Sequence, residues 1–277
     1  MPPEAIEAGL TRAASEQLMD EARQRITRLW PKASASQDLP IAARLGFVAL
    51  LLAMIGLVLA AGLVARPVLV PIVALVLMTP GLLRIAAAFP QHRKIAPPWL
   101  LSDAELPLYS VLIPLRDEAA MVPMLHRAMR ALDYPPEKLD IKFVVESRSA
   151  PTVAAVEAVL GDPSFRIVVV PDGPPRTKPK AIDYALPLAR GKYLVVYDAE
   201  DVPAPDQLRM AASRFEHDSG LACLQAELVP ENASENALTA LFAGEYAGLF
   251  GRLLPALVRW KLPVPLGGTS NHFRTDV

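Results

Sequence analysis

Three carboxylates, those of Asp198, Glu200 and Asp201, crowd into four consecutive residues. They directly follow the apolar run Tyr193 to Val196, which has the composition of a buried strand. Carboxylates this close repel one another unless a cation lies among them, and oxygen ligands favour Mg²⁺ or Mn²⁺. The cluster therefore predicts a divalent cation held by all three side chains, with a pair of phosphates as its expected partner.

Acids also follow two other apolar runs, where Leu115-Arg116-Asp117-Glu118 ends one and Glu146 ends the other. Ligands of open α/β sheets bind beyond the carboxyl ends of the strands, so these positions are candidate ligand contacts. For Asp117 taken singly, capping of the next helix is an equal alternative.

A run of cations, Arg176-Thr177-Lys178-Pro179-Lys180, stands where a further helix is expected to begin. Cations at a helix start oppose the macrodipole, so they suit an anionic ligand better than they suit helix stability. We predict a phosphate or nucleotide contact at Lys180, and the alternative is a solvated charge run. The chain has no Gly-x-Gly-x-x-Gly and no Walker loop, which leaves dinucleotide binding and P-loop phosphate transfer without support.

Short apolar runs alternate with helical stretches from residue 109 onward, which is typical of a parallel sheet covered by helices. The predicted class is α/β. The predicted strands are Tyr109–Pro114, Ile141–Glu146, Phe165–Val170, Tyr193–Tyr197 and Leu221–Leu228, and the predicted helices lie near Ala119–Leu132, Pro151–Leu160, Lys178–Ala189 and Pro205–Phe215.

Two long apolar runs precede this domain. Leu45 to Ala65 has no charge and is about the ~20 residues that cross a bilayer, and a second run extends from Pro67 to Phe89. A signal peptide is the alternative, but more than forty residues precede the first run. Basic residues flank the pair on both outer sides, which predicts a transmembrane hairpin with both ends in the cytoplasm.

Composition excludes several classes of protein. A hydrophobic fraction of 52% excludes disorder, and a formal net charge of -1 disfavours a nucleic-acid-coating protein. The single cysteine, Cys223, excludes an internal disulfide and a zinc site built from thiolates.

The last part of the chain combines an apolar helix with a polar turn. Apolar residues recur at three and four residue spacings from Glu235 to Trp260, which predicts an amphipathic helix that is either a core helix or an interfacial helix on the membrane. A glycine-led polar loop follows from Leu266 to Arg274. His272 has no second histidine at a metal-ligand spacing, so we do not expect it to bind metal.

Together these segments resemble the inverting family 2 glycosyltransferases of the GT-A fold, within the membrane-embedded branch of bacterial cellulose synthases and related β-glucan synthases. The resemblance covers roughly residue 107 to the C-terminus. Pro114 to Glu118 resembles a Pro-x-Tyr-Asn-Glu element, Lys180-Ala181 with Leu186 resembles Lys-Ala-x-x-Leu-Asn, and Asp198-Ala199-Glu200 resembles the Asp-x-Asp metal motif.

The resemblance implies a role for each of these positions. Nucleotide contacts are expected from Leu115, Arg116, Glu118, Glu146, Lys180 and Asp198. Metal ligands are expected from Asp198, Glu200 and Asp201. An acceptor-side loop is expected at Gly267, Gly268, Thr269, Ser270 and Asn271. The implied cofactor is Mg²⁺ or Mn²⁺. The implied partners are a UDP-sugar donor, a polysaccharide or lipid acceptor and membrane lipid, without nucleic acid.

The implied reaction is an inverting displacement that moves a sugar from a UDP-sugar to a growing polysaccharide. Transfer to a polyprenyl phosphate and a non-catalytic nucleotide-binding module are the alternatives. The family's catalytic base lies in a Thr-Glu-Asp motif that these residues lack, so we expect it beyond them.

The resulting domain prediction has four parts: a cytoplasmic N-terminal segment (1–44), two transmembrane helices (45–89), a linker (90–106) and a GT-A domain (107–277). The predicted location is the inner membrane, as a multi-pass protein with a cytoplasmic catalytic domain.

Overall fold

The computed structural model describes residues 14–31, 39–60, 62, 66–89 and 99–276. The predicted helical stretch from Ile6 to Trp30 lies partly outside these residues. Helices are α1 (Ser15–Leu29), α2 (Ile41–Ala60), α3 (Arg66–Ala88), α4 (Val122–Arg130), α5 (Ala150–Glu157), α6 (Lys178–Ala185), α7 (Gln207–His217), α8 (Ala237–Gly248) and α9 (Leu254–Arg259). Strands are β1 (Tyr109–Leu115), β2 (Leu139–Glu146), β3 (Phe165–Val170), β4 (Tyr193–Val196), β5 (Cys223–Gln225) and β6 (Asn271–Arg274).

The chain forms two compact units. The first takes its described residues from Met1–Arg25, Lys94–Leu228 and Leu266–Val277, and the second takes them from Ile26–Arg93 and Val229–Pro265. Both units are therefore discontinuous in sequence, and the segment 229–265 groups with the apolar helices. The sequence-based boundaries at residues 44, 89 and 106 differ from this grouping.

One six-stranded sheet organises the first unit, in the order β3-β2-β1-β4-β6-β5. The four strands from β3 to β4 are parallel, as predicted. The sheet also contains β6, a strand that was not predicted, which runs antiparallel to both β4 and β5 and makes the sheet mixed. The sequence Asn271-His272-Phe273-Arg274 lacks the apolar alternation of a strand, so its pairing follows from its neighbours in the fold.

Alternation along β1 sends side chains to two separate cores. Tyr109, Val111 and Ile113 enter the larger core, where α4 packs, while Leu112 enters a smaller core on the other face. Tyr184 of α6 packs in that smaller core. The sheet is thus covered on both faces, which explains why its central strands read as continuous apolar runs.

A buried charge network lies at the amino end of the parallel strands. The Asp140 side chain is fully buried, 2.5 Å from Lys142 Nζ, and accepts a hydrogen bond of 2.7 Å from Ser110 Oγ. Arg190 adds bonds from its backbone N–H and its guanidinium. This network joins β1, β2 and the approach to β4 at the end opposite the acidic cluster.

The helices of the second unit expose apolar side chains. By length and composition, Val70–Ala88 and Ala237–Arg259 are the helices long and apolar enough to cross a membrane among the described residues, while Ile41–Leu57 is apolar but shorter. The first predicted span, Leu45 to Ala65, therefore corresponds to a helix that is shorter than a candidate membrane span in the part of the chain that is described.

The stretch from Ala237 to Arg259 differs from the predicted amphipathic helix. α8 runs into a π-helical turn at Leu249–Leu253 and then into α9. None of the α8 residues is buried, and Leu238, Leu241 and Phe242 are all more than half exposed. The core-helix alternative is therefore wrong for α8 within the part of the chain that the structure describes, because its apolar side chains are not buried there.

Candidate functional site

The acidic cluster lies directly beyond the carboxyl end of β4. Asp198 is half-buried, and its carboxylate forms an ion pair with the ammonium of Lys178 from the first turn of α6. The same ammonium donates a hydrogen bond of 2.7 Å to the carbonyl oxygen of Gly268. One lysine therefore links the acidic cluster to the glycine-led loop.

The three carboxylates do not converge on one point. Asp201 accepts hydrogen bonds from the Thr269 hydroxyl and, at 2.7 Å, from the backbone N–H of Asp198, while Glu200 is exposed. Among the described residues, no three His, Cys, Asp or Glu side chains form a group that could hold a metal ion. The expected three-carboxylate metal site is thus not assembled, because Asp201 is already engaged with the turn and with Thr269.

The predicted acceptor-side loop is held in place by a side chain on β5. Gln225 accepts a bond of 2.8 Å from the Gly267 N–H and donates one of 3.1 Å to the Thr269 carbonyl. Asn271 donates to the Gly267 carbonyl at 2.6 Å, but it is the first residue of β6 and so lies in the sheet. The loop proper is therefore one residue shorter than predicted, and it borders the acidic cluster directly.

The segment after β1 is tied to the start of α5. Asp117 has a positive φ of 58°, and its carboxylate accepts a hydrogen bond of 2.6 Å from Ser149 Oγ. The Glu118 carboxylate accepts from the Arg116 N–H at 3.0 Å. The Arg116 guanidinium donates to the Arg176 carbonyl at 3.3 Å, and its side chain is half exposed. The Leu115 side chain is 2% exposed and belongs to the larger core, so it is not available to a ligand.

Glu146 and Lys180 form a buried pair below this segment. Their charged atoms are 3.6 Å apart, and the Lys180 ammonium also donates to the Gly173 carbonyl at 3.0 Å. The Lys180 side chain is 1% exposed, so its predicted phosphate contact requires this arrangement to open. Glu146 Oε2 is buried and has no hydrogen-bond partner among the described residues.

The loop that leads into α6 is closed by its own ion pair. Arg176 donates two hydrogen bonds to Asp172, at 2.8 and 2.9 Å, and these bonds lower the pKa of the Asp172 carboxyl. Thr177 is the N-cap of α6, and its side chain accepts from the Lys180 N–H. These contacts place Lys178 at the exposed start of the helix, facing Asp198.

His272 lies in the larger core's aromatic surroundings, close to the site but without access to it. Its Nδ1 is 2.7 Å from the Tyr109 hydroxyl, and its Nε2 is buried without a hydrogen-bond partner among the described residues. Burial lowers the pKa of His272 to about 3. The ring is therefore neutral at physiological pH.

Sequence reasoning missed several residues that shape this site. Lys178 belongs to the cationic run, and its position at a helix start indicates an anionic partner. Nothing in the sequence, however, favours Lys178 over Lys180 for that contact. Ser149, Thr152 and Gln225 gave no signal, because their roles depend on loops that approach from distant parts of the chain.

The sequence from residue 107 to 276 matches the family model "Glycosyltransferase like family 2". The match covers more than half of the chain, so the chain belongs to this family and residues 107–276 form a glycosyltransferase domain. The mixed α/β sheet agrees with the GT-A fold that the resemblance implies.

Curated relatives carry glycosyltransferase names. A beta-monoglucosyldiacylglycerol synthase of Trichormus variabilis is 26% identical over 139 residues, which is 50% of this chain and 29% of the relative. The probable glycosyltransferase YdaM of Bacillus subtilis is 29% identical over 109 residues, which is 39% of this chain and 26% of the relative. The chain thus spans less than a third of the length of these relatives.

Solved structures to which this chain is similar include a mannosyltransferase and a glucosyl-3-phosphoglycerate synthase. The mannosyltransferase PcManGT of Pyrobaculum calidifontis, solved with GDP-Man and Mn²⁺, is 23% identical with a TM-score of 0.48, over 58% of this chain and 46% of that one. Glucosyl-3-phosphoglycerate synthase of Mycobacterium tuberculosis, solved with Mn²⁺ and UDP, is 16% identical with a TM-score of 0.42, over 68% of this chain and 64% of that one.

Proposed function

We propose that this domain binds a UDP-sugar with Mg²⁺ or Mn²⁺ and acts as a hexosyltransferase that transfers the sugar by inverting displacement. The observation that carries the proposal is the joint position of Asp198, Glu146 and the Arg116 loop. They follow β4, β2 and β1, three neighbouring parallel strands whose carboxyl ends meet at one edge of the sheet. Ligands of such sheets bind at this edge.

The residues present suit a cation on Asp198. Its carboxylate already holds a positive group, the Lys178 ammonium, and exposed Glu200 adds a second oxygen donor nearby in the chain. We assign the cation to Asp198 and Glu200, with Asp201 supporting the turn through Thr269 and the Asp198 N–H. When bound, such a cation neutralises charge on the departing diphosphate.

The remaining contacts are assigned to the nucleotide. Glu146 Oε2 is a buried carboxylate oxygen without a partner among the described residues, and a buried acceptor of this kind is costly unless a donor reaches it. We assign that donor to an N–H or O–H group of the nucleoside, which reaches the buried oxygen once the arrangement of Glu146 and Lys180 opens. Arg116 is exposed and adds a positive charge at the same edge. Lys180 becomes available to the nucleotide only if the loop at Gly173 opens.

Two acceptors remain candidates. A growing polysaccharide follows from the resemblance to the cellulose synthase branch. A membrane lipid is favoured by the exposed apolar helices and by the beta-monoglucosyldiacylglycerol synthases among the relatives. In either case, the loop from Gly267 to Ser270 lies beside Asp198 and is the proposed acceptor-side surface.

We also propose a multi-pass inner-membrane protein with a cytoplasmic catalytic domain, in which α2 and α3 form the hairpin. Ala237–Arg259 is long enough to cross as well, but β5 and β6 on either side of it are paired strands, as in the Gln225–Asn271 pair. If this helix crossed the membrane once, β5 and β6 would lie on opposite sides and could not pair. A return of the chain through the lipid in extended form would leave its backbone groups without hydrogen bonds. This helix is therefore assigned to the membrane surface.

Calorimetric titration with UDP tests the nucleotide and metal assignments. Asp198→Asn and Glu200→Gln are expected to weaken UDP binding in Mn²⁺ at least tenfold, which is about 1.4 kcal/mol. Asp206→Asn, an exposed acid in the same segment without a capping bond, is the matched control and is expected to bind as the wild type does. Equal UDP affinity in EDTA and in Mn²⁺ would refute the metal assignment.

Cysteine labelling tests the topology. Asp20→Cys and Asp206→Cys, each in a Cys223→Ala background, place single thiols at exposed positions on the N-terminal helix and the catalytic domain. Both are expected to resist an impermeant reagent in intact cells and to react after lysis. Reaction of either thiol in intact cells would place that part outside the cytoplasm.

A further inference from the structure

The Lys178 ammonium occupies a position that a cation of the proposed function would also need. It contacts the Asp198 carboxylate and lies 2.7 Å from the Gly268 carbonyl oxygen, so both of its identified partners are oxygen atoms. Oxygen atoms of this kind are also the ligands that Mg²⁺ and Mn²⁺ prefer. An ammonium and a divalent cation cannot both occupy the same side of one carboxylate.

Helix stability does not account for this placement. Lys178 is in the first turn of α6, where a positive charge opposes the helix macrodipole. The side chain is one third exposed, and a flexible four-carbon stem lets its ammonium move to another acceptor. The contact is therefore exchangeable, in contrast to the buried Lys180 pair.

The glycine-led loop is attached to the acidic cluster at two consecutive residues. Gly268 is held through Lys178, and Thr269 is held through Asp201. Movement of the Lys178 ammonium away from Asp198 and Gly268 would therefore also remove one of the attachments of the loop to the acidic cluster.

Resting on the proposed function, we propose that Lys178 is a displaceable counter-ion of the metal site and a donor-binding residue. Without donor, its ammonium neutralises Asp198 and holds Gly268. When the metal and nucleotide bind, the cation takes over Asp198, and the ammonium moves to the diphosphate, which is the nearest new anion. Lys178 thereby couples donor binding to release of the acceptor-side loop.

The proposal predicts effects of opposite sign for one substitution. In Lys178→Met, Mn²⁺ alone should bind at least threefold more tightly, because its competitor for Asp198 is gone. UDP in saturating Mn²⁺ should bind at least fivefold more weakly, because the diphosphate loses a cation. Manganese binding is measured by electron paramagnetic resonance of the free ion, and UDP binding is measured by calorimetry, both on the full chain.

Matched variants separate this role from a structural one. Lys192→Met removes another lysine that pairs with an acid, Glu216, near the opposite end of β4, and it should change neither affinity by more than twofold. Lys178→Arg keeps the charge and should restore both affinities toward the wild type. Lys178→Gln provides a second neutral variant in case the methionine variant does not fold.

A probe on the loop reports the coupling directly. Leu266→Cys carries a fluorophore at an exposed position beside the loop, in a Cys223→Ala background. Its anisotropy should fall when UDP and Mg²⁺ are added to the otherwise wild-type chain, and it should already be low in Lys178→Met without ligand.

The outcomes distinguish the inference from the function on which it rests. If Lys178→Met weakens both Mn²⁺ and UDP binding, or changes neither, while Asp198→Asn still weakens UDP binding in Mn²⁺ at least tenfold, the counter-ion role is refuted and the proposed function stands. An anisotropy that does not respond to UDP and Mg²⁺ refutes the coupling. If neither the wild type nor Lys178→Met binds Mn²⁺ with or without UDP, both proposals are refuted.

Discussion

Asp140 is a residue whose change is expected to destabilise this domain strongly. Its side chain is completely buried, and so is that of Lys142, 2.5 Å away. Asp140→Asn keeps the shape, but it removes the negative charge and replaces one of two acceptor oxygens, both of which accept from donors, with an NH₂ donor. The Lys142 ammonium then loses its contact with a carboxylate in a place that water does not reach.

The magnitude follows from the burial of both groups. Removing one partner of a buried ion pair costs about 3–5 kcal/mol, whereas an exposed pair is worth about 0–1 kcal/mol. For a domain of this size, each kcal/mol shifts the melting temperature by roughly 2–4 °C. Asp140→Asn is therefore expected to lower the melting temperature by about 6–20 °C.

Thermal unfolding followed by circular dichroism, on the full chain in detergent, measures this effect. Glu216→Gln, which removes the charge from the exposed pair with Lys192, is the matched control and should shift the transition by less than about 4 °C. The double variant Asp140→Asn with Lys142→Met should recover at least half of the loss, because the buried charge is removed together with its partner. A single variant that melts within 2 °C of the wild type, or a double variant no better than the single, would refute the reasoning.

Three further predictions concern the neighbourhood of the site. Burial lowers the pKa of His272 from 6.5 to about 3. The free energy of unfolding should therefore be highest above pH 6.5 and fall as the pH drops toward 3, with a loss of about 2 kcal/mol at pH 5. His272→Gln should flatten this pH dependence in thermal melts between pH 5 and 7. Gln225→Ala removes bonds of 2.8 and 3.1 Å to the glycine-led loop, so a fluorophore at Leu266→Cys should show lower anisotropy without any ligand, and an unchanged anisotropy would contradict the assigned role. Ser149→Ala removes the bonds that hold Asp117 and should weaken UDP binding at least threefold in calorimetry, whereas exposed Ser147→Ala should not.

Much of the fold follows from local patterns in the sequence. Four of the five predicted strands form close to their predicted positions, because strands of a sheet that is covered on both faces are built mainly of apolar residues. The acids after β1, β2 and β4 could be placed at one edge for the same reason, since parallel neighbours bring their carboxyl ends together.

Contacts between distant segments could not be predicted in this way. β6 is polar and only four residues long, and its pairing with β4 depends on the chain returning after residue 265. Which of Lys178 and Lys180 contacts Asp198 could not be predicted either. Both belong to one cationic run, but residues two apart on a helix do not face the same way, so one meets Asp198 while the other is buried against Glu146.

The apolar character of the stretch from Ala237 to Arg259 is determined by sequence alone, and so is its capacity to associate with lipid. In the proposed topology, it is the tertiary structure that keeps this helix from crossing the membrane. Hydropathy depends only on the residues inside the helix, whereas the side of the membrane on which each end must lie is set by the pairing of β5 with β6. The pairing of β6 with β4 brings the loop at Gly267 to the acids after β4, so the site depends on a return of the chain that no local pattern encodes.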